Sequence, residues 1–250
     1  MEVTATATGT APRSVVDEYI ESTARRGFAF LPHASVRPLL GEGVLEDFQA
    51  AWEDLELDTE IPGGKQFRLR RYGRLRVEPG PSGTEFEALA HSAFRQDAIE
   101  MWRGQNRVFA PVAADTLLHG AMRALVGLDV EIASAVSGVT RWDVGIHLVR
   151  ILAKPGADGE PTPEGRHRDG HAFVGMHLLR RDHLTGGHST LHLEDATTVD
   201  LTLARPLDSV LVDDGRLTHE VTPISPAGDT GIRDMLLVDL NPAAEPTAAR

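Results

Sequence analysis

The sequence predicts an α+β domain in which N-terminal helices flank a β-barrel or sandwich. Residues 13–26 place apolar side chains at helical spacing. From residue 139 onward, short β-rich runs follow one another, separated by turn signals such as GADGEPTPEG and PAGDTG. Helices followed by a run of strands, with no internal repeat or linker, are typical of a single α+β unit.

The predicted elements divide one domain, residues 13–241, into two parts. A mainly helical flanking part is expected over 13–138 and a β-rich core over 139–241. Within the first part we expect helices over 13–26, 35–54 and most of 86–127, and a short strand over 27–32. The Thr/Ala-rich ends, 1–12 and 242–250, are predicted to be disordered tails.

Composition excludes several classes of partner and site. The net charge of −12 argues against a nucleic-acid-binding surface, which needs a basic face. The absence of cysteine excludes disulfides and thiolate ligands, so a metal must be bound by His, Asp or Glu. There is no leader pattern and no run of about 18 apolar residues, so no membrane association is expected and the protein is predicted to be cytoplasmic.

The stretch PEGRHRDGH, residues 163–171, contains the first candidate metal ligands. His167 and Asp169 are two positions apart, so on an extended segment their side chains point the same way. His219 begins a later predicted strand. Two histidines and one carboxylate on one face form the facial triad that suits non-haem Fe(II) and oxygen chemistry. The alternatives are a chance H-x-D tripeptide and a co-catalytic zinc hydrolase, for which further carboxylates at suitable places are missing.

Arg233 begins the last apolar strand, RDMLLVDL, 14 residues after His219. Taken alone, it reads as a surface arginine at a strand start. In an enzyme that uses 2-oxoglutarate, a fixed guanidinium holds the distal carboxylate in bidentate fashion. Its position as the fourth member of an ordered H-x-D, H, R series favours this second interpretation.

The sequence resembles the bacterial 2-oxoglutarate/Fe(II)-dependent dioxygenases typified by L-isoleucine 4-hydroxylase, which hydroxylate free amino acids. The resemblance covers roughly residues 27–241, in the order of the family's own blocks. The matching blocks are GFAFL, FRLRRYG, HLVRIL, PTPEGRHRDGHAFVGMHLLRR, GGHSTLHL, HEVTPI and GIRDMLLVDL.

The resemblance implies a double-stranded β-helix, a jelly-roll or cupin-like core. It implies Fe(II), 2-oxoglutarate and O2 as cofactor and co-substrates, and a small free amino acid or cyclic imino acid as substrate. His167, Asp169 and His219 would then bind the iron, and Arg233 would grip the C5 carboxylate of 2-oxoglutarate. Because related halogenating enzymes lack the carboxylate ligand, Asp169 favours hydroxylation.

Two further residues are candidates for contact with 2-oxoglutarate. Arg150 lies in a predicted barrel strand, where an inward charge needs a partner. That partner is either a carboxylate of 2-oxoglutarate or substrate, or a buried aspartate. Thr190, in the strand after Gly186-Gly187, could offer a hydroxyl to the co-substrate.

Substrate contacts are expected from Arg68, Arg70 and His171. Period-2 alternation places Arg68 and Arg70 on one face of their segment and Arg71 on the other. A guanidinium there could bind an amino-acid carboxylate. His171 could face the substrate, or Gly170 could turn the chain and leave His171 as a loop residue at the rim.

The sequence therefore favours an Fe(II)- and 2-oxoglutarate-dependent hydroxylase. A β-barrel protein that binds a metal or ligand without catalysis is the alternative from another class, and an H-x-D metallohydrolase is a third. The intact triad with Arg233 argues against the binding protein, because a structural metal site needs no arginine for an oxo acid.

Overall fold

Helices occupy the N-terminal part of the chain and the segment just before the β-rich core. The computed structural model describes residues 13–81 and 83–244. Its α-helices are α1 (Arg13–Arg26), α2 (His33–Val36), α3 (Val44–Gln49), α4 (Ala114–Leu117) and α5 (Gly120–Ser137), and 3-10 turns span Arg37–Leu39, Ala50–Asp54, Pro62–Gly64 and Glu100–Trp102. The tail predicted at 1–12 lies outside the described residues, as do residues 245–250 of the C-terminal tail.

Strands begin early and dominate the chain after residue 140. They are β1 (Phe28–Leu31), β2 (Glu56–Leu57), β3 (Arg68–Gly80), β4 (Gly83–Ala88), β5 (Trp142–Ala153), β6 (Phe173–Asp182), β7 (Leu184–Gly186), β8 (Ser189–His192), β9 (Thr198–Leu201), β10 (Ser209–Asp213), β11 (Thr218–Val221), β12 (Ile224–Pro226) and β13 (Gly231–Pro242). The last strand extends into the predicted C-terminal tail. The predicted helix 13–26, the early strand and the order of the later strands are confirmed.

The strands form one large and two small antiparallel sheets. The large sheet has the order β1-β10-β6-β13-β5-β3-β2, with β4 paired to β3. The small sheets are β11-β8-β9 and β12-β7. Neighbours in the large sheet are mostly distant in sequence, so the chain must cross between sheets repeatedly. These crossings bring β11 and the loop before β6 against the inner face of the large sheet.

Helix α5 covers the outer face of the large sheet. Its buried side chains, among them Met122, Leu125 and Ile132, join one core cluster with Trp142 of β5. Asp129 of α5 approaches β6 so closely that a Cβ on Gly175 would lie 1.9 Å from its Oδ2, so only glycine fits there. Of the helices described, none is both long and apolar enough to span a membrane.

Alternation along the long strands separates the outer face from an inner cavity. On β5, Val149 and Ile151 line the cavity, whereas Arg150 between them points to the helices. Arg150 donates to Asp234 of β13 through Nε (2.7 Å) and Nη2 (2.9 Å), and to Glu53 of the 3-10 turn through Nη2 (2.8 Å). A buried ion pair therefore joins two sheet strands to the helical layer.

The structure corrects two predicted helices. The segment 35–54 is broken into α2, α3 and 3-10 turns rather than one helix. Most of 86–113 is irregular, with β4 at its start and the helices α4 and α5 only after residue 113. Its apolar markers Phe94, Trp102 and Phe109 do not form a helical stripe, because they pack around buried arginine side chains instead. The flanking part 13–138 also contributes the strands β1, β2, β3 and β4 to the large sheet.

We expect Asp234→Ala to lower the free energy of unfolding by about 3 kcal/mol, because it leaves the Arg150 guanidinium without its buried partner. Chemical denaturation measures this loss. Asp182→Ala is the matched control, because its pair with Arg180 is solvent-exposed and contributes no more than about 1 kcal/mol. Equal losses in the two variants would contradict a structural role for the Arg150–Asp234 pair.

Candidate metal centre and cavity

The two candidate histidines are held together by the backbone. The His167 N–H donates to the His219 carbonyl (3.0 Å), and the His219 N–H donates to the His167 carbonyl (2.9 Å). This bridge attaches the loop before β6 to β11 and places the two imidazole ring centroids 4.4 Å apart. Asp169, two residues after His167, completes a group whose ligand atoms all lie within 4.8 Å of one another.

The orientation of the three side chains fits a divalent metal. His167 Nδ1 lies 2.8 Å from the Gly165 carbonyl, so Nδ1 keeps a proton and Nε2 is the nitrogen that can bind a metal. The Nε2 atoms of His167 and His219 each lie 3.5 Å from an oxygen of Asp169. Two imidazole nitrogens and one carboxylate oxygen that converge from the same side are the donor set of a non-haem iron site.

Asp214 shapes the loop that carries Asp169. Its carboxylate accepts hydrogen bonds from the backbone N–H groups of Asp169 (2.9 Å), Gly170 (2.6 Å) and His171 (3.1 Å). Gly170 turns the chain at a φ of 89°, and a Cβ at this position would lie 2.6 Å from that of Ala98. The loop therefore directs Asp169 toward the two histidines and turns His171 away.

The electrostatics of the triad favour a cation. Burial opposes protonation of His167, but Asp169 and Glu164 outweigh it and raise the pKa of His167 to about 9. Burial lowers the pKa of His219 below its usual range. Burial also acts to raise the pKa of Asp169, but the two histidines hold it below the usual range. A metal would therefore displace a proton from His167 and bind against an ionised Asp169.

The triad opens onto a cavity whose floor is the inner face of the large sheet. Directly paired residues on neighbouring strands share a face, and Arg68, Ile151, Arg233 and Arg181 form one such row across β3, β5, β13 and β6. The residues around the cavity are Arg68, Arg70, Phe94, Gln96, Trp102, Arg107, His147, Val149, Ile151, Pro161, Thr162, Glu164, His167, Asp169, Val174, Met176, His219, Val221, Arg233, Met235, Leu237 and Asp239.

Arg233 presents an uncompensated buried charge. Its side chain is buried and its Nε has no hydrogen-bond partner among the described residues. Burial and the neighbouring Arg181 lower the pKa of Arg233 to about 10, as expected for a buried cation without an acidic partner. Arg181 donates to the Gly186 carbonyl (2.6 Å), while its buried Nη1 also has no partner there. Two adjacent guanidinium groups without a carboxylate partner form a site for an anion.

A second arginine cluster lines another part of the cavity. Arg68 donates to the buried Asp58 (2.7 Å), which balances its charge. The hydrogen-bond partner of Arg70 is a histidine, with Nη2 2.7 Å from His147 Nδ1, and Arg107 donates to Gln96 Oε1 (2.6 Å). Burial, then the other arginines, lower the pKa of Arg70 to about 9. Arg70 and Arg107 thus have polar neighbours that position them without neutralising them.

Two chains of hydrogen bonds lead away from these arginines. Gln96 accepts from Arg107 and donates to Asp169 Oδ1 (2.6 Å), so one amide joins the arginine to the metal-facing carboxylate. On the other side, Arg70 donates to His147 Nδ1, so His147 Nε2 donates to Asp239 (2.8 Å). Burial and Arg70 lower the pKa of His147 to about 4, which keeps this imidazole neutral.

A sequence model of the 2OG-Fe dioxygenase family matches residues 49–239 of the 250-residue chain. The chain belongs to the 2OG-Fe dioxygenase family. It is therefore a dioxygenase whose family uses Fe(II), 2-oxoglutarate and O2, and the triad offers a group that could bind the iron. A comparison with curated protein sequences finds no significant match.

Solved structures show the same fold over nearly the whole chain. A bsmA homolog from Methylobium petroleophilum PM1 is 25% identical with a TM-score of 0.82, over 94% of this chain and 96% of that one. IDO from Bacillus thuringiensis is 20% identical with a TM-score of 0.76, over 92% and 100%. The Fe(II)/(alpha)ketoglutarate-dependent dioxygenase TqaL is 17% identical with a TM-score of 0.70, over 95% and 90%. The predicted double-stranded β-helix is confirmed.

Three predicted contacts of this dioxygenase are placed elsewhere by the structure. Arg150 lies on the outer face and pairs with Asp234, the buried-aspartate alternative. The Thr190 hydroxyl donates to Asp200 (2.7 Å) on β9, and Thr190 points away from the cavity because its neighbours Ser189 and Leu191 take the buried positions of β8.

His171 also lies outside the cavity. Its Nε2 is 3.1 Å from Asp239, and that carboxylate outweighs burial and raises the pKa of His171 to about 9. The predicted substrate contact is therefore replaced by a supporting role behind Asp239. Arg68 and Arg70, in contrast, do line the cavity, and Arg71 points outward to Glu56 (3.1 Å) as alternation predicts.

Several cavity residues were missed from the sequence. Arg107 and Gln96 lie in the segment predicted to be helical. The sequence therefore gives no sign that Arg107 is joined to Asp169 through Gln96. Arg181 lies on β6, which pairs with β13, and its register with Arg233 is visible only in the sheet. Asp214 lies in the stretch DDGR, whose aspartates and glycine are typical of a turn. An aspartate in a turn gives no sign in sequence that it accepts three hydrogen bonds from a distant loop.

We expect His167→Ala and His219→Ala to abolish metal binding and turnover, because each removes one of three ligands. The metal content of protein loaded anaerobically with Fe(II) or Mn(II) measures the first effect. His188→Ala is the control, since His188 is exposed and bonds only Thr202 and Thr222. Normal metal content in either ligand variant would show that the assignment is wrong.

Asp214→Asn is expected to weaken metal binding by about 10- to 100-fold, as is typical when a residue that orients a ligand is lost. The amide can no longer accept three backbone N–H groups with both oxygens. Titration with Mn(II) measures the affinity. Asp213→Asn serves as the control because that carboxylate accepts none of these three bonds, and it should leave the affinity unchanged. Equal affinities in all three proteins would rule out the orienting role.

Proposed function

We propose that the protein is an Fe(II)- and 2-oxoglutarate-dependent hydroxylase of a free L-amino acid or cyclic imino acid. The observation that carries this proposal is a single cavity that brings together the triad, the uncompensated Arg233 and a second set of cavity-facing arginines. Two sets of arginines near the triad suit a co-substrate and a substrate that both carry carboxylates.

His167, Asp169 and His219 are the proposed iron ligands. The backbone bridge between the histidines, the Gly165 carbonyl on His167 Nδ1 and Gln96 on Asp169 orient all three side chains in advance. Iron held by these residues would supply the O2-dependent oxidation of 2-oxoglutarate to succinate and CO2, coupled to hydroxylation of a C–H bond. With three protein ligands on one face, the opposite face is left for ligands from solution.

Arg233 is the proposed partner of the distal carboxylate of 2-oxoglutarate. Its orphaned Nε and the neighbouring Arg181 provide donors in a dry environment, where an ion pair with a carboxylate is strong. The role follows from the register of the large sheet, because Arg233 shares the inner face with Ile151 and Met235. The adjacent Asp234, on the outer face, balances Arg150 and leaves Arg233 unneutralised.

The remaining cavity wall suits a small substrate with an aliphatic part. Val149, Val174, Met176, Met235 and Leu237 line it and exclude water from the C–H bond that is to react. A metallohydrolase would need further carboxylates for a second metal, and a non-catalytic barrel would have no use for a buried anion site beside the triad. Both alternatives are therefore disfavoured.

The test is anaerobically purified protein supplied with Fe(II), 2-oxoglutarate, O2 and a panel of free amino acids. The panel includes the branched aliphatic amino acids, L-proline and L-pipecolate. We expect substrate-dependent succinate together with a product heavier by one oxygen atom. Succinate that does not exceed the background for any amino acid, in protein that holds iron, would overturn the proposed substrate class.

We expect Arg233→Met to raise the KM for 2-oxoglutarate by about 100-fold, because the substitution removes a charge-assisted double hydrogen bond in a dry site. Steady-state succinate release at varied 2-oxoglutarate measures it. Arg180→Met removes a partly exposed guanidinium from the opposite face of the sheet and should leave that KM unchanged. If the two variants behave alike, Arg233 does not bind the co-substrate.

A further inference from the structure

Glu164 is a cavity-lining carboxylate without a donor of its own. Its side chain is 11% exposed, and its Oε2 is buried with no hydrogen-bond partner among the described residues. Its Oε1 lies 3.4 Å from His167 Nε2, the atom that faces the metal site. Once that nitrogen binds a metal, neither oxygen of Glu164 has a protein partner. A buried carboxylate in this state is costly unless a ligand supplies a cation.

Arg107 is a buried cation in the same cavity. The whole residue is 1% exposed, and its guanidinium lies 4.3 Å from the ring centroid of Trp102 and 5.0 Å from that of Phe94. Its Nη2 donates to the neutral Gln96, while its Nε has no partner among the described residues. The aromatic rings and the amide fix the guanidinium in place and leave its charge unmatched.

Arg70 adds a second unmatched cation beside Arg107. Its guanidinium lies 4.3 Å from the ring centroid of Phe109 and donates to the neutral His147. In the described chain, neither Arg70 nor Arg107 forms an ion pair with an acidic side chain. Arg68 differs, because Asp58 already neutralises it. The cavity therefore offers two free cations for the carboxylate of a ligand.

Glu164 and Arg107 influence each other without touching. Burial, followed by Arg68, lowers the pKa of Arg107 to about 10, and the carboxylates of Asp58 and Glu164 oppose that fall. No hydrogen bond joins Glu164 to Arg107, and each keeps a buried polar atom without a partner. Two opposite charges that line one cavity and remain unpaired match a ligand that carries an ammonium group and a carboxylate on the same carbon atom.

We propose that Glu164 binds the ammonium group and Arg107, with Arg70, binds the carboxylate of a free α-amino acid. This inference rests on the proposed function and names how its substrate is selected. A cyclic imino acid also fits, because its ring nitrogen keeps two N–H donors. N-acylated amino acids, simple amines and deaminated acids each lack one of the two charges, and a peptide does not carry both on the same α-carbon. They leave Glu164 or the arginines buried and unpaired, and are therefore excluded.

Binding without turnover tests this directly. Protein loaded with Mn(II) and 2-oxoglutarate under anaerobic conditions is titrated calorimetrically with the twenty standard L-amino acids and L-pipecolate. Each amino acid that binds is compared with its N-acetyl derivative, its deaminated acid and its decarboxylated amine. We expect the analogues to bind at least about 10- to 100-fold more weakly, the cost of one lost charge-assisted hydrogen bond.

Two substitutions assign the two charges to their residues. Glu164→Gln should weaken amino-acid binding by about 10- to 100-fold and leave the deaminated acid unaffected. Arg107→Gln should weaken the amino acid and leave the decarboxylated amine unaffected. Both should keep the affinities for Mn(II) and 2-oxoglutarate. Glu160→Gln and Arg103→Gln, exposed neighbours in the same two segments, are the matched controls.

Each other outcome overturns the inference in a distinct way. Loss of Mn(II) binding in Glu164→Gln would make Glu164 a metal ligand. Amino-acid binding that both substitutions leave unchanged would refute the paired recognition while the proposed function stands. If Mn(II) and 2-oxoglutarate bind but no amino acid does, both proposals fail. If Arg107→Gln does not fold, the binding of amino acids and deaminated acids to Glu164→Gln still tests the inference. Arg107→Lys keeps the positive charge and should retain most of the affinity for the amino acid.

Discussion

The two-residue alternation of the long strands is the constraint on which the rest of the structure depends. One face of β3, β5, β6 and β13 meets the helical layer, and the other forms the cavity floor. Arg233 and Asp234 are adjacent in sequence, yet one is an unmatched cation in the cavity and the other neutralises Arg150 beneath the helices. A shift of one residue in register would exchange these roles and remove the anion site.

The arginines of the cavity differ in whether an acidic side chain neutralises them. Asp58 neutralises Arg68, whereas Arg70 and Arg107 are held by a neutral histidine and a neutral amide. Neutral acceptors keep a buried guanidinium in place without neutralising its charge, so the charge can still attract an anionic ligand. The same principle applies to Arg233 and Arg181, so this dioxygenase has two cationic sites that no acidic side chain of the described residues neutralises.

The order of H-x-D, H and R in the sequence predicts that His167, Asp169 and His219 converge, and the structure brings these side chains together beside a cavity that Arg233 also lines. The first helix and the late strands were also predictable. The segment 86–113 was not. Its aromatic residues suggested a helix, but Phe94, Trp102 and Phe109 pack on arginine side chains that come from other parts of the chain.

The sequence by itself determined the chemistry available to this protein: His, Asp and Arg as the site donors, no thiolate, and a β-rich core in which strand alternation separates Arg70 from Arg71. Tertiary structure alone decided which of these side chains meet. Arg150 and Thr190 face away from the cavity, Arg107, Gln96 and Glu164 line it, and Arg181 lies beside Arg233 in the sheet. The physical reason is that sheet register and loop hydrogen bonds, such as those of Asp214, join segments more than forty residues apart.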